Sequence, residues 1–539
     1  MRESARVADA LAIGVLAAVA LIAALTFRDY GLGWDDFTHA QYGELLVQFY
    51  ASGLRDTRAF SFVNLYMYGG GFDMAAALLA KLVPIELFEM RRLLGAMVGL
   101  IGMSAIWRLG RRIGGPAAGL IALLLLAACP LYYGHMFINP KDAPFAAMMA
   151  IALLGTVRAI EQYPQPAPAT VVLLGLGIGL SVGSRIMGGF AVICALAALV
   201  LIVWVEAHEH GTQRSIVRLL GFLRAIVPSV VIGIAVMALV WPWSVLDPLN
   251  LPRTVLYFSQ FFEKPWRELY GGELIFAPDM PRSYVPMLLG LKLPELLLAA
   301  AISGVAWTLA MAARPVLPVR RRAIFLCIAL TASFPVAVAV VTRPAMYNGI
   351  RHFDFIVPPL ALLGGLMANE LLGWARRYGR PASLAGIGIL LAGIALPTIE
   401  MVRLHPYQYV YFNRLAGGIR GAEGHYMLDY WGLAFKQASN ELLRVIAERD
   451  LKPAVGNQWK IAVCGPHPPA AVALGEQFDL TWDSRGADLA MMLGAFYCRN
   501  FDAPVLAEIK REGVLFARVY DIRGRDFPSL FAHPPVERD

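Results

Sequence analysis

Charge is scarce in this sequence. Only 16% of its 539 residues are Asp, Glu, Lys or Arg, against about 25% in an ordinary soluble domain. Five cysteines are too few for a disulfide scaffold. There is no GxxxxGKS or GxxxxGKT, no HExxH and no CxxC, which weighs against nucleotide hydrolysis, zincin proteolysis and dithiol redox chemistry. What fills the space is apolar: 58% of residues are hydrophobic and the mean hydropathy is +0.58. The formal charge of +8 comes mostly from arginine, which in such a chain is explained first by the loops on one side of a membrane. Nucleic acid is therefore not expected as a partner.

The apolar residues come in long runs that are nearly free of charge, the mark of bilayer-spanning helices, each needing about 20 residues to cross about 30 Å of hydrocarbon. A first run extends from Ala10 to Phe27 behind Arg2 and Arg6. It is longer than a secretory signal core and reads as a retained helix. Further candidate spans begin near Leu93, Ala117, Ala143, Thr170, Ile186, Phe222, Val285, Ala323, Phe353 and Ala382. The expected fold class is an α-helical polytopic membrane protein of about 11 transmembrane helices, carrying a small C-terminal α/β domain. Residues 1–404 are read as the membrane part and 405–539 as the extra domain.

Direction follows from compact arginine clusters: Arg108, Arg111 and Arg112; Arg214 and Arg218; Arg320, Arg321 and Arg322; Arg376, Arg377 and Arg380. With a cytoplasmic N-terminus these fall inside, and the C-terminal domain falls outside. Two long segments, 28–92 and 243–284, then lie on the outer face, and loops of such length are often functional. Within the first, Phe72 to Val83 is mostly apolar but only about 18 Å long as a helix. It is too short to span, so it should lie along or dip into the outer leaflet. After His405 the pattern changes. Helical periodicity runs from Leu433 to Arg449, and Lys460–Cys464, Phe478–Trp482, Leu489–Leu493 and Val514–Val519 read as strands. Cys464 and Cys498 could pair there, and two isolated thiols are equally compatible with the sequence.

The chemistry-bearing residues gather at the outer ends of spans. Gly33–Trp34–Asp35–Asp36–Phe37–Thr38–His39 follows the first span, with Tyr42, Tyr50, Tyr66, Tyr68 and Gly69–Gly70–Gly71 after it and Arg91–Arg92 opening the second span. A second feature is the turn His135–Met136–Phe137–Ile138–Asn139–Pro140–Lys141–Asp142–Ala143–Pro144. Three ionisable groups and two prolines are more than a connector needs. Arg185 separates two apolar segments, where an insertion cost of about 2.5–3.5 kcal/mol requires a cavity, an anion or the outer surface. Tyr347–Asn348–Gly349–Ile350–Arg351–His352 leads into the tenth span. Arg351 and His352 there suit an anionic head group, since guanidinium binds phosphate bidentately. Finally His405–Pro406–Tyr407–Gln408–Tyr409–Val410–Tyr411–Phe412–Asn413 reads as an interfacial aromatic belt, or as part of an acceptor cleft.

Taken in order, these motifs resemble those of polytopic GT-C glycosyltransferases that use lipid-phosphate sugars, in particular the family 39-like protein O-mannosyltransferase and aminoarabinose lipid A transferase group. The resemblance covers Ala10 to Met401 and rests on the outer acidic pair Asp35–Asp36, Arg92 opening the second span, the basic turn Leu109–Gly110–Arg111–Arg112–Ile113–Gly114, the turn Asp142–Ala143–Pro144, Arg185, and Arg351–His352 before Pro358–Pro359. Two departures are Asp36 where the family usually has Glu, and Ala143 inserted in an Asp-Pro turn. The resemblance implies transfer of a sugar from a polyprenyl-phosphate donor to a glycan, lipid or protein acceptor at the outer face of a bacterial inner membrane. Asp35 is then expected as general base with Asp36 supporting it, both as ligands should a divalent metal take part. Arg92, Arg185, Arg351 and His352 are expected at the donor phosphate, and His39, Lys141, Asp142 and Tyr347 at the substrate. The alternative is a lipid-linked glycan flippase or other transporter, which should hold ionisable groups near the bilayer midplane and show internal repeats; no repeat is evident. A third reading is a non-catalytic assembly factor with an outer binding domain.

Overall fold

The computed structural model describes residues 2–259 and 266–531. Its membrane part contains α1 (Arg2–Thr26), α2 (Asp36–Ala51), α3 (Gly71–Leu82), α4 (Leu87–Gly114), α5 (Pro116–Ala127), α6 (Pro130–Ile138), α7 (Asp142–Glu161), α8 (Pro168–Ser184), α9 (Gly189–His210) and α10 (Thr212–Val240). There follow α11 (Trp243–Leu246), α12 (Asn250–Ser259), the hairpin β1 (Arg267–Tyr270) and β2 (Glu273–Phe276), α13 (Tyr284–Lys292), α14 (Glu295–Ala313), α15 (Val319–Thr342), α16 (Val357–Ala375) and α17 (Arg380–Leu404). Among the described residues, nine helices are long and apolar enough to cross a bilayer.

The remaining expected spans show what sequence alone blurs. The run beginning near Ala117 is two helices, α5 and α6, bent by 62°, because Pro130 cannot donate the next backbone bond. The run near Thr170 is α8, a helix of 17 residues that packs between α7 and α10. The run near Val285 does not span from its start: α13 ends at an extended Leu293, Pro294 intervenes, and the crossing helix is α14. With the bent pair and α8, the nine helices account for all the apolar segments expected.

Helices α7 and α16 are mostly enclosed by their neighbours, whereas α1, α10 and α17 stay largely uncovered by protein. Their bare faces carry side chains such as Leu25, Val231, Ile389 and Val402, which need hydrocarbon around them. Charges divide between the two ends of the bundle. At one end Arg111 pairs with Asp9, Arg112 with Glu161 and Arg218 with Glu206. The opposite end carries the candidate site residues. There α3 falls within a residue of the short apolar segment expected to lie along the bilayer, and α2, which the sequence did not signal, packs against it. Gly43 makes that contact possible, since a Cβ there would stand 2.3 Å from the Asp73 carbonyl oxygen.

The C-terminal domain adds α18 (Gly418–Ala422), α19 (Ala434–Glu448), β3 (Trp459–Cys464), α20 (His467–Leu474), β4 (Phe478–Thr481), β5 (Leu489–Leu493), β6 (Val505–Arg511) and β7 (Val514–Asp521). The strand order is β4-β3-β5-β7-β6, with β4, β3 and β5 parallel and β7 antiparallel to both neighbours. Four of its strands and α19 fall where sequence placed them. Strand β6 was missed because it is an edge strand with a largely uncovered, charged face. Cys464 and Cys498 are joined in a disulfide. The aromatic run after His405 is no interfacial belt: Tyr407, Tyr409, Val410, Tyr411 and Phe412 are all buried and belong to one core continuous with helices and sheet alike.

Replacing Gly43 by valine should therefore separate α2 from α3 and destabilise the protein by about 1–3 kcal/mol, the usual cost of overpacking. Thermal unfolding in detergent measures this; an unchanged midpoint would contradict the packing described.

Candidate active site

Asp35 and Asp36 stand at the start of α2, where a helix N-terminus favours negative charge. Consecutive residues on a helix diverge by about 100°, and these two carboxylates go separate ways. Asp36 turns into the protein, where Oδ1 accepts from Arg91 Nε at 2.6 Å. Arg91 Nη2 donates to Asp73 Oδ1 at 2.7 Å, and the other Asp73 oxygen lies 2.7 Å from His39 Nδ1. All four side chains are buried. Burial by itself would raise the Asp73 carboxyl; His39 and Arg91 overcome it and hold the group below the usual carboxylate range. Asp36, expected to support Asp35, and His39, expected at the substrate, thus belong to a buried ionic network with Arg91 and Asp73.

Asp35 faces the other way and keeps 27% of its side chain exposed. Its Oδ2 lies 2.9 Å from Lys141 Nζ and 3.7 Å from Arg351 Nη1. Burial of the carboxyl tends to raise it, but Lys141, Arg351 and His39 prevail and keep it well below the ordinary value. Arg351 Nη1 also donates to Asp142 Oδ2 at 3.1 Å, and Arg185 pairs with the second Asp142 oxygen. The turn that presents Lys141 and Asp142 is built by Asn139: its Oδ1 accepts from the backbone N–H of Asp142 at 2.8 Å and of Lys141 at 3.2 Å, while its Nδ2 donates to Asp142 Oδ2 at 3.0 Å.

Aromatic faces frame the cations. Arg351 lies over Tyr347 and Trp431, at 5.0 and 5.3 Å from the ring centres. Lys141 and Arg185 both approach the Tyr68 ring, at 5.3 and 5.5 Å. Three cations thus meet two carboxylates, Asp35 and Asp142, leaving one positive charge in excess. A cavity of ≈ 130 Å³ adjoins them; Tyr68, Arg185, Tyr347 and His352 contribute its polar groups, and Met187 and Phe353 part of its apolar wall. An anionic head with an apolar tail matches that division.

Of the residues nominated from sequence, the structure brings together Asp35, Lys141, Asp142, Arg185, Tyr347, Arg351 and His352. It does not bring Arg92. The charged neighbours of Arg92 are Asp36, Glu86, Glu89 and Lys436, and among the described residues no ion pair joins it to the cluster; its helical neighbour Arg91 holds the inner network instead. Sequence reasoning missed roles for Tyr68, Asp73, Asn139, Trp431 and Glu268. Glu268, on β1, is buried, and its Oε1 accepts the Gly349 N–H at 3.2 Å. It thereby ties the outer loop, of which residues 260–265 lie outside the described part, to the segment leading into Arg351. Burial pushes its carboxyl up to about 7, against the lowering by those backbone donors. Asn348 and Gly349 both take positive φ there, and an Asn-Gly pair is the one local signal of such a turn.

A divalent metal fits this site poorly. The two adjacent carboxylates point apart, each already faces a cation, and no three His, Cys, Asp or Glu side chains converge on a metal position among the described residues.

Removing Arg91 would leave the buried Asp36 without its cation and Asp73 with His39 alone, a loss of about 3–5 kcal/mol for a broken buried pair. Arg91→Ala is thus expected to fold poorly, and Arg92→Ala to cost less. Comparing the thermal midpoints of the two purified variants measures the difference, and equal losses would contradict the network.

The model of the family "Dolichyl-phosphate-mannose-protein mannosyltransferase" matches residues 73–242, a stretch that contains Arg91, Lys141, Asp142 and Arg185 and omits Asp35 and Arg351. No curated protein matches in sequence. Among solved structures, the oligosaccharyltransferase of Archaeoglobus fulgidus in its apo form superposes with a TM-score of 0.50 at 13% identity, covering 86% of this chain and 64% of that one. This chain therefore spans less than two thirds of that enzyme's length. The same organism's AglB, in complex with an inhibitory peptide and a dolichol-phosphate, gives 0.50 at 11% identity, with 90% and 69% covered. ArnT from Cupriavidus metallidurans in the apo state gives 0.49 at 16% identity, with 96% and 98% covered. The resemblance read from the ordered motifs is borne out: the chain is a polytopic membrane protein with the GT-C fold, similar over residues 73–242 to the dolichyl-phosphate-mannose-protein mannosyltransferases.

Proposed function

We propose that the protein is a membrane glycosyltransferase that takes a sugar from a polyprenyl-phosphate donor and passes it to a hydroxyl of an acceptor. The observation that carries this reading is Asp35, a part-exposed carboxylate sharing Lys141 and Arg351 with a site that holds excess positive charge beside a partly apolar cavity. The acceptor oxygen attacks the anomeric carbon, the bond from that carbon to the phosphate oxygen breaks, and the hydroxyl proton passes to Asp35. The released phosphate keeps the electron pair and is met by Arg185, Arg351 and Lys141. Phosphate leaves readily, so no strong general acid is needed, and positioned cations stabilise the charge as it develops. A single displacement inverts the anomeric centre.

Asp35 is a weak base as it stands, because two cations favour its charged form. A bound donor phosphate competes for Lys141 and Arg351, and as it draws them away the carboxylate becomes more basic. In this reading the donor switches on the base, and Asp36 and His39 act behind it by fixing the start of α2.

The site and the C-terminal domain are placed on the outer side of a bacterial inner membrane, a sidedness supported by two features. The arginine-rich turns gather at the opposite end of the bundle, as for cytoplasmic loops. The Cys464–Cys498 disulfide belongs with an oxidising compartment. The transporter alternative is disfavoured because the ionic cluster sits at one end of the spans rather than midway along them.

The test is transfer of radiolabel from a polyprenyl-phosphate sugar in reconstituted membranes. Asp35→Asn is expected to reduce product about 10²–10⁴-fold, the usual contribution of a general base, with the thermal midpoint unchanged. Intact transfer would remove Asp35 as base; movement of intact labelled lipid between leaflets would favour the transporter. The acid side of the kcat/KM profile provides a second check. Because the free-enzyme Asp35 is depressed below its ordinary value, protonation of this group should not reduce kcat/KM until the pH falls below about 4. An acid limb near pH 6 that Asp35→Asn abolished would contradict the depressed carboxyl.

A further inference from the structure

Strands β3, β4 and β5 run parallel, and their carboxyl ends open on a cleft that the site described so far does not use. Val463, Cys464 and Gly465 come from the end of β3, Trp482 directly follows β4, and Phe496 and Tyr497 follow β5. The facing wall comes from the membrane part: Trp34, adjacent in sequence to Asp35, and Trp266 and Arg267 at the start of β1. The space measures ≈ 500 Å³, within the range of about 300–1,000 Å³ typical of small-molecule sites. In open α/β sheets the crevice beyond the carboxyl ends of parallel strands is where ligands bind.

The lining has a specific character. Three indoles and a phenol meet there, with Arg267 as the charged member. Trp34 and Trp266 stand edge to face, ring centres 6.3 Å apart. Trp482 is 71% exposed, a large apolar surface left to water. His467 stacks on the Trp482 ring at 3.6 Å, which holds the indole in place. The Cys464–Cys498 bridge ties the β3 end to the segment carrying Phe496 and Tyr497. This is a rigid cleft of aromatic faces, fixed from both sides.

Aromatic faces carry negative charge density and attract positively polarised groups. A pyranose or furanose ring presents such groups as an apolar face of C–H bonds, while its rim of hydroxyls can hydrogen-bond to indole N–H and guanidinium. A peptide reading the same sheet would be expected to extend an edge strand, β4 or β6, rather than lie across strand ends. We infer that the cleft formed by Trp34, Trp266, Arg267, Trp482, Phe496 and Tyr497 is a carbohydrate-binding subsite for the acceptor, which makes the acceptor a glycan. This rests on the glycosyl-transfer reading, and one wall of the cleft, Trp34, directly precedes Asp35 in the chain.

The full-length protein in lipid nanodiscs is passed over a printed array of bacterial and synthetic oligosaccharides, and over a matched array of serine- and threonine-containing peptides. Undecaprenyl phosphate binding is followed in parallel by native mass spectrometry. The wild type is expected to retain at least one class of oligosaccharide, and Trp482→Ala and Trp266→Ala to reduce that retention by about 10-fold or more, as truncating a central aromatic contact does. Trp482→Phe should recover part of it, and lipid-phosphate binding should stay within about twofold in both Trp482 variants, since Trp482 does not line the donor cavity. No retained oligosaccharide, equal retention by the alanine variants, or preference for the peptides would overturn the proposal. A wild type that fails to bind undecaprenyl phosphate would overturn the donor reading beneath it.

Discussion

An arginine in a low-dielectric interior must be matched charge for charge, and Arg91 is matched twice, by Asp36 and by Asp73. The second of these carboxylates is shared with His39. Because Asp36 and His39 sit on one face of α2, Asp73 on α3 and Arg91 on α4, this network locks three helices at the end of the bundle that carries the candidate site. Gly43 allows the close approach that the ionic contacts need. With α2 held in this rotation, Asp35 has only one direction left, towards Lys141 and Arg351. The orientation of the site is thus a consequence of neutralising charge behind it.

The cations of the site are held by a different principle. Lys141 is presented by the Asn139 turn, Arg185 by the break between α8 and α9, and Arg351 by the segment tied to Glu268. Each comes from a place where the chain leaves regular helix, so each can project from the end of a span without carrying its charge into hydrocarbon. Aromatic rings from the loops and from the C-terminal domain cover them: Tyr68 beneath Lys141 and Arg185, Trp431 against Arg351. The C-terminal domain is therefore part of the site's wall. Asp429 reinforces this, accepting the backbone N–H groups at the start of α19 and the hydroxyl of Tyr409, which lies in the run following the last span.

How much of this was legible in advance depended on the range of the interaction involved. Apolar spans are written locally, in length and absence of charge, and nearly all were read near their true positions. The exceptions, at Pro130 and Pro294, are places where one residue divides an apolar run without altering its composition. The α/β character of the C-terminal domain was visible in the buried strands β3, β4, β5 and β7. Edge strand β6 was not, because an edge buries too little to impose an apolar pattern. The buried aromatic run after His405 looked like a membrane belt, since sequence distinguishes poorly between lipid and protein as the partner of an aromatic side chain.

The candidate site residues divide along the same line. Sequence by itself determined the class of molecule, the two long loops at one end, and the short list of ionisable groups beside the bilayer, because hydrocarbon admits so few charges that each survivor is conspicuous. It could not determine which member of an adjacent pair faces the site. Asp35 against Asp36, and Arg91 against Arg92, are questions of helix rotation. Neighbours on a helix diverge by about 100°, and only the packing of α2, α3 and α4 around a buried ionic network selects the phase. That choice, like the meeting of Asp35, Lys141–Asp142, Arg185 and Arg351 from four distant stretches of chain, belongs to the tertiary structure.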